Sequence, residues 1–234
     1  MLEEAKNEIP FYKVLGEITA IWTLANIGYY FFLPLFGFEL SYNSSPVAIA
    51  IYFLIWAVLA IFNFRGVYNK WLDHDSHIWL YGVLSVSSSG IILGLIYLFS
   101  KFTVPTGPVI SPYTDILFAT EWYFLPKLVE ILVQQLLVTV LILELFFRFH
   151  TLKKVIMGYV LCFGGAHVIL YLLNGAPTPY ALIMTGSAFV SSLIFPYLIL
   201  RIKGGFVYAY LIHFLFYVIL AMLLHAWPPP GYFI

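Results

Sequence analysis

The stretch Pro126–His150, P-K-L-V-E-I-L-V-Q-Q-L-L-V-T-V-L-I-L-E-L-F-F-R-F-H, decides how the chain folds. Crossing a bilayer takes about 20 predominantly apolar residues, and this stretch is long and apolar enough. Yet it carries Lys127, Glu130, Gln134, Gln135 and Glu144, side chains that are expensive in hydrocarbon unless they find partners. At about 100° per residue, Lys127, Glu130 and Gln134 fall on one helical face. That face is expected to point into the protein. The side chains expected to meet it are two deeply placed histidines further along, His167 and His213.

Working outward, the whole chain is apolar. Of its 234 residues 62% are hydrophobic and 9% charged, with a mean hydropathy of +0.96. Soluble proteins carry roughly a quarter charged residues, so the composition points to an integral membrane protein with no room for a separate soluble domain. Lys plus Arg and Asp plus Glu each number 11. The balance excludes the basic footprint of a nucleic-acid binder. Cys162 is the single cysteine, so no disulfide can form within the chain. The start, M-L-E-E-A-K-N-E, lacks the basic region of a signal peptide, and the first span is expected to be retained.

Apolar windows place spans near Ile18–Phe38, Val47–Phe64, Ile78–Ser100, Pro126–His150, Val155–Leu173, Tyr180–Leu200 with a kink at Pro196, and Gly205–Trp227. A shorter piece, Ile116–Leu125, reads as interfacial or as a broken helix stopped by Pro126. The fold expected is all-α and polytopic, with about seven transmembrane helices. Seven spans collect Lys6, Lys13, Arg65, Lys70, Arg148, Lys153, Lys154, Arg201 and Lys203 on one side and leave Lys101 on the other. Cytoplasmic loops carry the Lys and Arg excess, which implies a cytoplasmic N-terminus and an outside C-terminus. Trp71, Trp79, Trp122, Tyr123, Trp227 and Tyr232 sit near span ends, as an aromatic belt requires. Gly90-xxx-Gly94, Gly164–Ala166 and the Ser187/Ser191 turn are the expected faces of close helix packing.

His167 lies in F-G-G-A-H, four residues after Phe163. His213 lies two turns into an apolar helix that opens with R-I-K-G-G at Arg201–Gly205. The order of these motifs resembles the CPBP family of intramembrane proteases, also called the Abi or CAAX-prenyl endopeptidase type. That family carries Glu-Glu-xxx-Arg on one span, Phe-xxx-His on the next, and His-xxx-Asn or His-xxx-Asp after a basic Gly-Gly turn. The resemblance runs from Ile116 to the end, about half the chain. It implies a division into an N-terminal three-span region, 1–115, and a CPBP-like four-helix core, 116–234.

The departures fall on the chemistry. Gln134 and Gln135 stand where the family has its glutamate pair, Thr139 where it has arginine, and Tyr217 where it has Asn or Asp. In the family the first glutamate activates water, and an amide has no useful basicity near neutral pH. The expected reading of Glu130 is a buried pair with Lys127 at i+3. Its rival is that Glu130 enters the same cavity as a replacement base, with Asn174 supplying the lost amide. His167 and His213 are expected to hydrogen-bond neighbouring helices, through Gln134 or Gln135, and so fix the packing. No cofactor is expected. Zinc would need Glu130 to complete two histidines and two amides. The loop D-H-D-S-H at Asp73–His77, His150, His225 and Glu121 are read as surface or interfacial groups without chemistry.

Together these readings give an expected function: a catalytically inactive CPBP-like protein acting as scaffold or accessory subunit of a membrane complex. Its partners are then the lipid bilayer and other membrane subunits, with no nucleic acid. The alternative is an active intramembrane peptidase of the CPBP type that uses Glu130 as general base.

Overall fold

The computed structural model describes residues 10–38, 40–72, 77–99, 116, 119–173 and 178–226, the main chain alone at 95–99, 121, 172–173, 178–180 and 225–226. Lys101, Asn174, Asp73–Ser76 and the closing Trp227–Ile234 stretch lie outside the described residues, as do the side chains of Glu121 and His225. The described chain is helical, and six helices are long and apolar enough to cross a membrane. The protein is an all-α polytopic membrane protein.

Helix α1 runs Phe11–Leu35, passing through a π-helical turn at Gly28–Phe32. It starts seven residues before the expected Ile18. The polar Lys13 and Glu17 hide this first part from a hydropathy window, yet helix geometry tolerates them, and Asn63 donates to Glu17 at 3.2 Å. Helix α2 covers Pro46–Asn63, the short α3 Arg65–Trp71, and α4 Ile78–Phe99, close to the expected spans. The 22 residues of α4 include an apolar part with described side chains, Ile78–Gly94, that is shorter than the six spanning helices.

A single 3₁₀ turn, Glu121–Tyr123, leads into α5, Phe124–Phe149. Pro126 therefore does not stop a helix; it sits in the first turn of one, where its missing N–H has no partner to lose. At 26 residues α5 is about 39 Å long, more than a bilayer core needs. Helix α6 begins at Leu152, has a π-helical turn at Val160–Gly164 and ends with Gly165–Leu173. Helix α7, Thr178–Arg201, continues through Pro196, and α8 covers Gly205–Ala226.

The architecture is a ring around α5. Some 83% of its apolar window is buried, against 11% for α1 and between 17% and 39% for the other spanning helices. Two tyrosine hydroxyls fasten neighbours to the main chain of this axis. Tyr68 of α3 donates to the Leu136 carbonyl at 3.1 Å, and Tyr210 of α8 donates to the Leu128 carbonyl at 2.7 Å. A carbonyl oxygen keeps a second lone pair after its helical bond, so a buried phenol can be satisfied without opening the helix.

Small residues contribute unevenly. A methyl group at Gly164 would press on the Phe189 ring at 3.1 Å, so α6 and α7 do approach closely there. Gly90 and Gly94 face open space, and the expected packing face on α4 is not used among the described residues.

One end of the ring collects the exposed cations. The Arg148 guanidinium lies 5.5 Å from the Phe11 ring and the Lys70 ammonium 6.0 Å from the Phe147 ring. The start of α1, the end of α3 and the end of α5 thus share one end. Val155 near the start of α6 and Ile199 near the end of α7 are buried in one apolar cluster beneath it. Two tight turns close this end. His150 ends α5 in the left-handed region at φ 55°, and Gly204, at φ 71°, precedes Gly205, where any side chain would run into the Leu198 carbonyl.

Candidate functional site

The polar face of α5 forms as its spacing requires. Lys127 and Glu130 are each 8% exposed and form an ion pair through one carboxylate oxygen. Tyr42 donates to that same oxygen at 2.7 Å, and the Gln134 amide donates to the other at 2.8 Å. Both oxygens of Glu130 are therefore engaged, by an ammonium, a phenol and an amide. Burial and the carboxylate beside it push the Tyr42 phenol well above its ordinary range, so it remains a donor.

Lys127 is also enclosed by rings. Its ammonium lies 4.5 Å from the Tyr217 ring centre, 5.0 Å from Tyr42 and 5.8 Å from Tyr123. A desolvated ammonium gains about 2 kcal/mol over such a face. Three separate elements supply the cage: the α1–α2 connection, the 3₁₀ turn and α8. A second contact reinforces this closure. The Asn43 side-chain oxygen accepts from the Thr120 main-chain N–H at 2.9 Å and from its hydroxyl at 3.1 Å.

The histidines are placed differently from each other. His213 stacks on Tyr217 at 5.6 Å between ring centres and lies 6.1 Å from Phe195. Tyr217 thus lies between it and Lys127. His167 donates from Nδ1 to the Phe163 carbonyl at 2.8 Å, one turn back on its own helix. It belongs to a ladder of rings on α6, Tyr159–Phe163–His167–Tyr171, with successive centres 5.1, 4.4 and 6.1 Å apart. In a regular α-helix, residues spaced by four drift about 40° per step. The π turn at Val160–Gly164 accommodates an extra residue and offsets that drift, which keeps the ladder on one side.

The expected hydrogen bonds from glutamine to histidine are not formed. Gln134 is committed to Glu130, and Gln135 is fully buried with neither amide atom partnered among the described residues. His213 Nδ1 and the Tyr159 hydroxyl are also buried without partners among the described residues. Thr139, at the position of the family's arginine, donates to the Gln135 carbonyl at 2.8 Å. Among the described residues no three His, Cys, Asp or Glu side chains are grouped to hold a metal. Glu130 is held by Lys127, Tyr42 and Gln134 and is not grouped with the two histidines among the described residues.

Sequence reasoning missed Tyr42. It lies 88 residues before Glu130, in a connection whose S-Y-N-S-S composition signals only a loop. No protein-family model, curated protein or solved structure matches this chain.

Proposed function

We propose that this protein is a non-catalytic membrane scaffold or accessory subunit. In the terms of the CPBP resemblance it is an inactive relative, oriented with its basic end and N-terminus toward the cytoplasm. The observation that supports this reading is the state of Glu130. A general base must reach the proton it abstracts, at about 2.6–3.2 Å or through one water. Glu130 instead already accepts on both oxygens, from Lys127, Tyr42 and Gln134, beside an ammonium enclosed by three tyrosine rings. Gln134 and Gln135 cannot take over the role, because amides are not basic. Such a cluster suits the interior of a rigid support.

The native mass of the protein, extracted from its own membranes in mild detergent with every co-purifying chain identified, tests the proposal. A stoichiometric larger assembly is expected. A lone monomer or homodimer with peptidase activity lost in Glu130→Gln would overturn it in favour of the Glu130 peptidase. Fusing a reporter to each terminus tests the orientation, with opposite sides expected for the two.

A further inference from the structure

We propose that the α5–α6 and α7–α8 turns form a binding surface for the headgroups of anionic phospholipids. Lys153 and Lys154 follow the first turn, Arg201 and Lys203 flank the second, and all four are exposed. Val155, directly after the lysine pair, and Ile199, two residues before Arg201, are buried in the same apolar cluster, so the two turns are neighbours. The acid closest in sequence, Glu144, is 3.7 Å from Arg148. Among the described residues none of the four cations is in an ion pair. The turns are also fixed, by the left-handed His150 and by Gly204–Gly205 folded against the Leu198 carbonyl.

An independent feature supplies the lipid's other half. On α6 the outward face reads Lys153, Met157, Leu161 at i, i+4, i+8, with Met157 58% and Leu161 75% exposed. On α7 it reads Arg201, Tyr197, Leu193 at the reverse spacing, with Tyr197 49% and Leu193 57% exposed. Each helix presents a cation above an apolar stripe, as a phosphate stands above acyl chains. Charge decides which lipid. A zwitterionic headgroup cancels its own phosphate, whereas an anionic one is attracted by each basic residue near the surface.

The test titrates the full-length protein in neutral detergent with phosphatidylglycerol or phosphatidylcholine, reading the thermal midpoint and, by native mass spectrometry, the number of lipids bound. Phosphatidylglycerol is expected to bind more tightly and stabilise more, with affinity falling about fivefold for each neutralised cation. Lys153→Gln/Lys154→Gln and Arg201→Gln/Lys203→Gln should each weaken it, while Lys13→Gln/Lys70→Gln should weaken it less. The four substitutions combined should abolish the preference for phosphatidylglycerol; should that variant fail to fold, the two pairs carry the test. Equal response to the two lipids, or equal loss in the Lys13/Lys70 control, would overturn the proposal. So would inorganic phosphate alone reproducing the shift, which would assign a soluble anion instead.

Discussion

Gln134 and Gln135 are adjacent on the same helix, yet the two faces of α5 that they occupy are opposites. Gln134 joins a cluster in which Lys127, Glu130 and Tyr42 satisfy one another. Gln135, turned about 100° away, is wholly buried with both amide atoms unpartnered among the described residues. Inside a membrane protein, then, a polar residue is stabilising or costly according to what other elements bring to it. The Gln134 face is completed by a phenol from the α1–α2 connection; among the described residues nothing comparable reaches Gln135.

The largest effect should come from breaking the ion pair. Glu130→Leu leaves a buried ammonium, a phenol and an amide without their acceptor, and should lower stability by about 3–5 kcal/mol. The double variant Lys127→Leu/Glu130→Leu should recover much of that loss, because removing both charges also removes their desolvation cost. Denaturation midpoints in detergent check both, and a double variant as unstable as the single would show that packing rather than charge dominates this face.

Tyr42→Phe removes one charge-assisted hydrogen bond and should cost about 1.5–3 kcal/mol. No change would mean that the α1–α2 connection does not close over α5 as described. Tyr68→Phe, which loses a neutral bond to the Leu136 carbonyl, should cost less, about 1 kcal/mol. Gln135→Leu should be the smallest and of opposite sign. Replacing an unpartnered buried amide by an apolar side chain is expected to be neutral or to stabilise by about 1 kcal/mol. A clear fall in the midpoint would show that Gln135 has a hydrogen-bonding role, and the contrast between the two glutamines would disappear.

The α6 and α8 histidines show where sequence reading stops. That both lie on spanning helices followed from their apolar surroundings, and both do. What they bond did not follow. An i, i+4 rule places Phe163 beside His167, but the π turn that aligns the ring ladder has no signal in V-L-C-F-G. His213 meets Lys127 only through Tyr217, a relation set by how α8 packs on α5. Pro126 was misread for a related reason. A proline marks a boundary in sequence, but whether it ends one helix or sits in the first turn of the next depends on the preceding chain.

By itself the sequence determined the solvent, the spans and the shared face of Lys127, Glu130 and Gln134. Hydrophobic length and the 3.6-residue period are local properties that any part of the chain carries with it. The tertiary structure decided that α5 is the buried axis, that Tyr42 and the tyrosine rings close over its ion pair, and that Gln135 has no partner among the described residues. These depend on which distant segments arrive at each face. In a bilayer, where lipid is as apolar as leucine, hydrophobicity does not choose between a helix neighbour and a lipid one; packing and hydrogen bonds do.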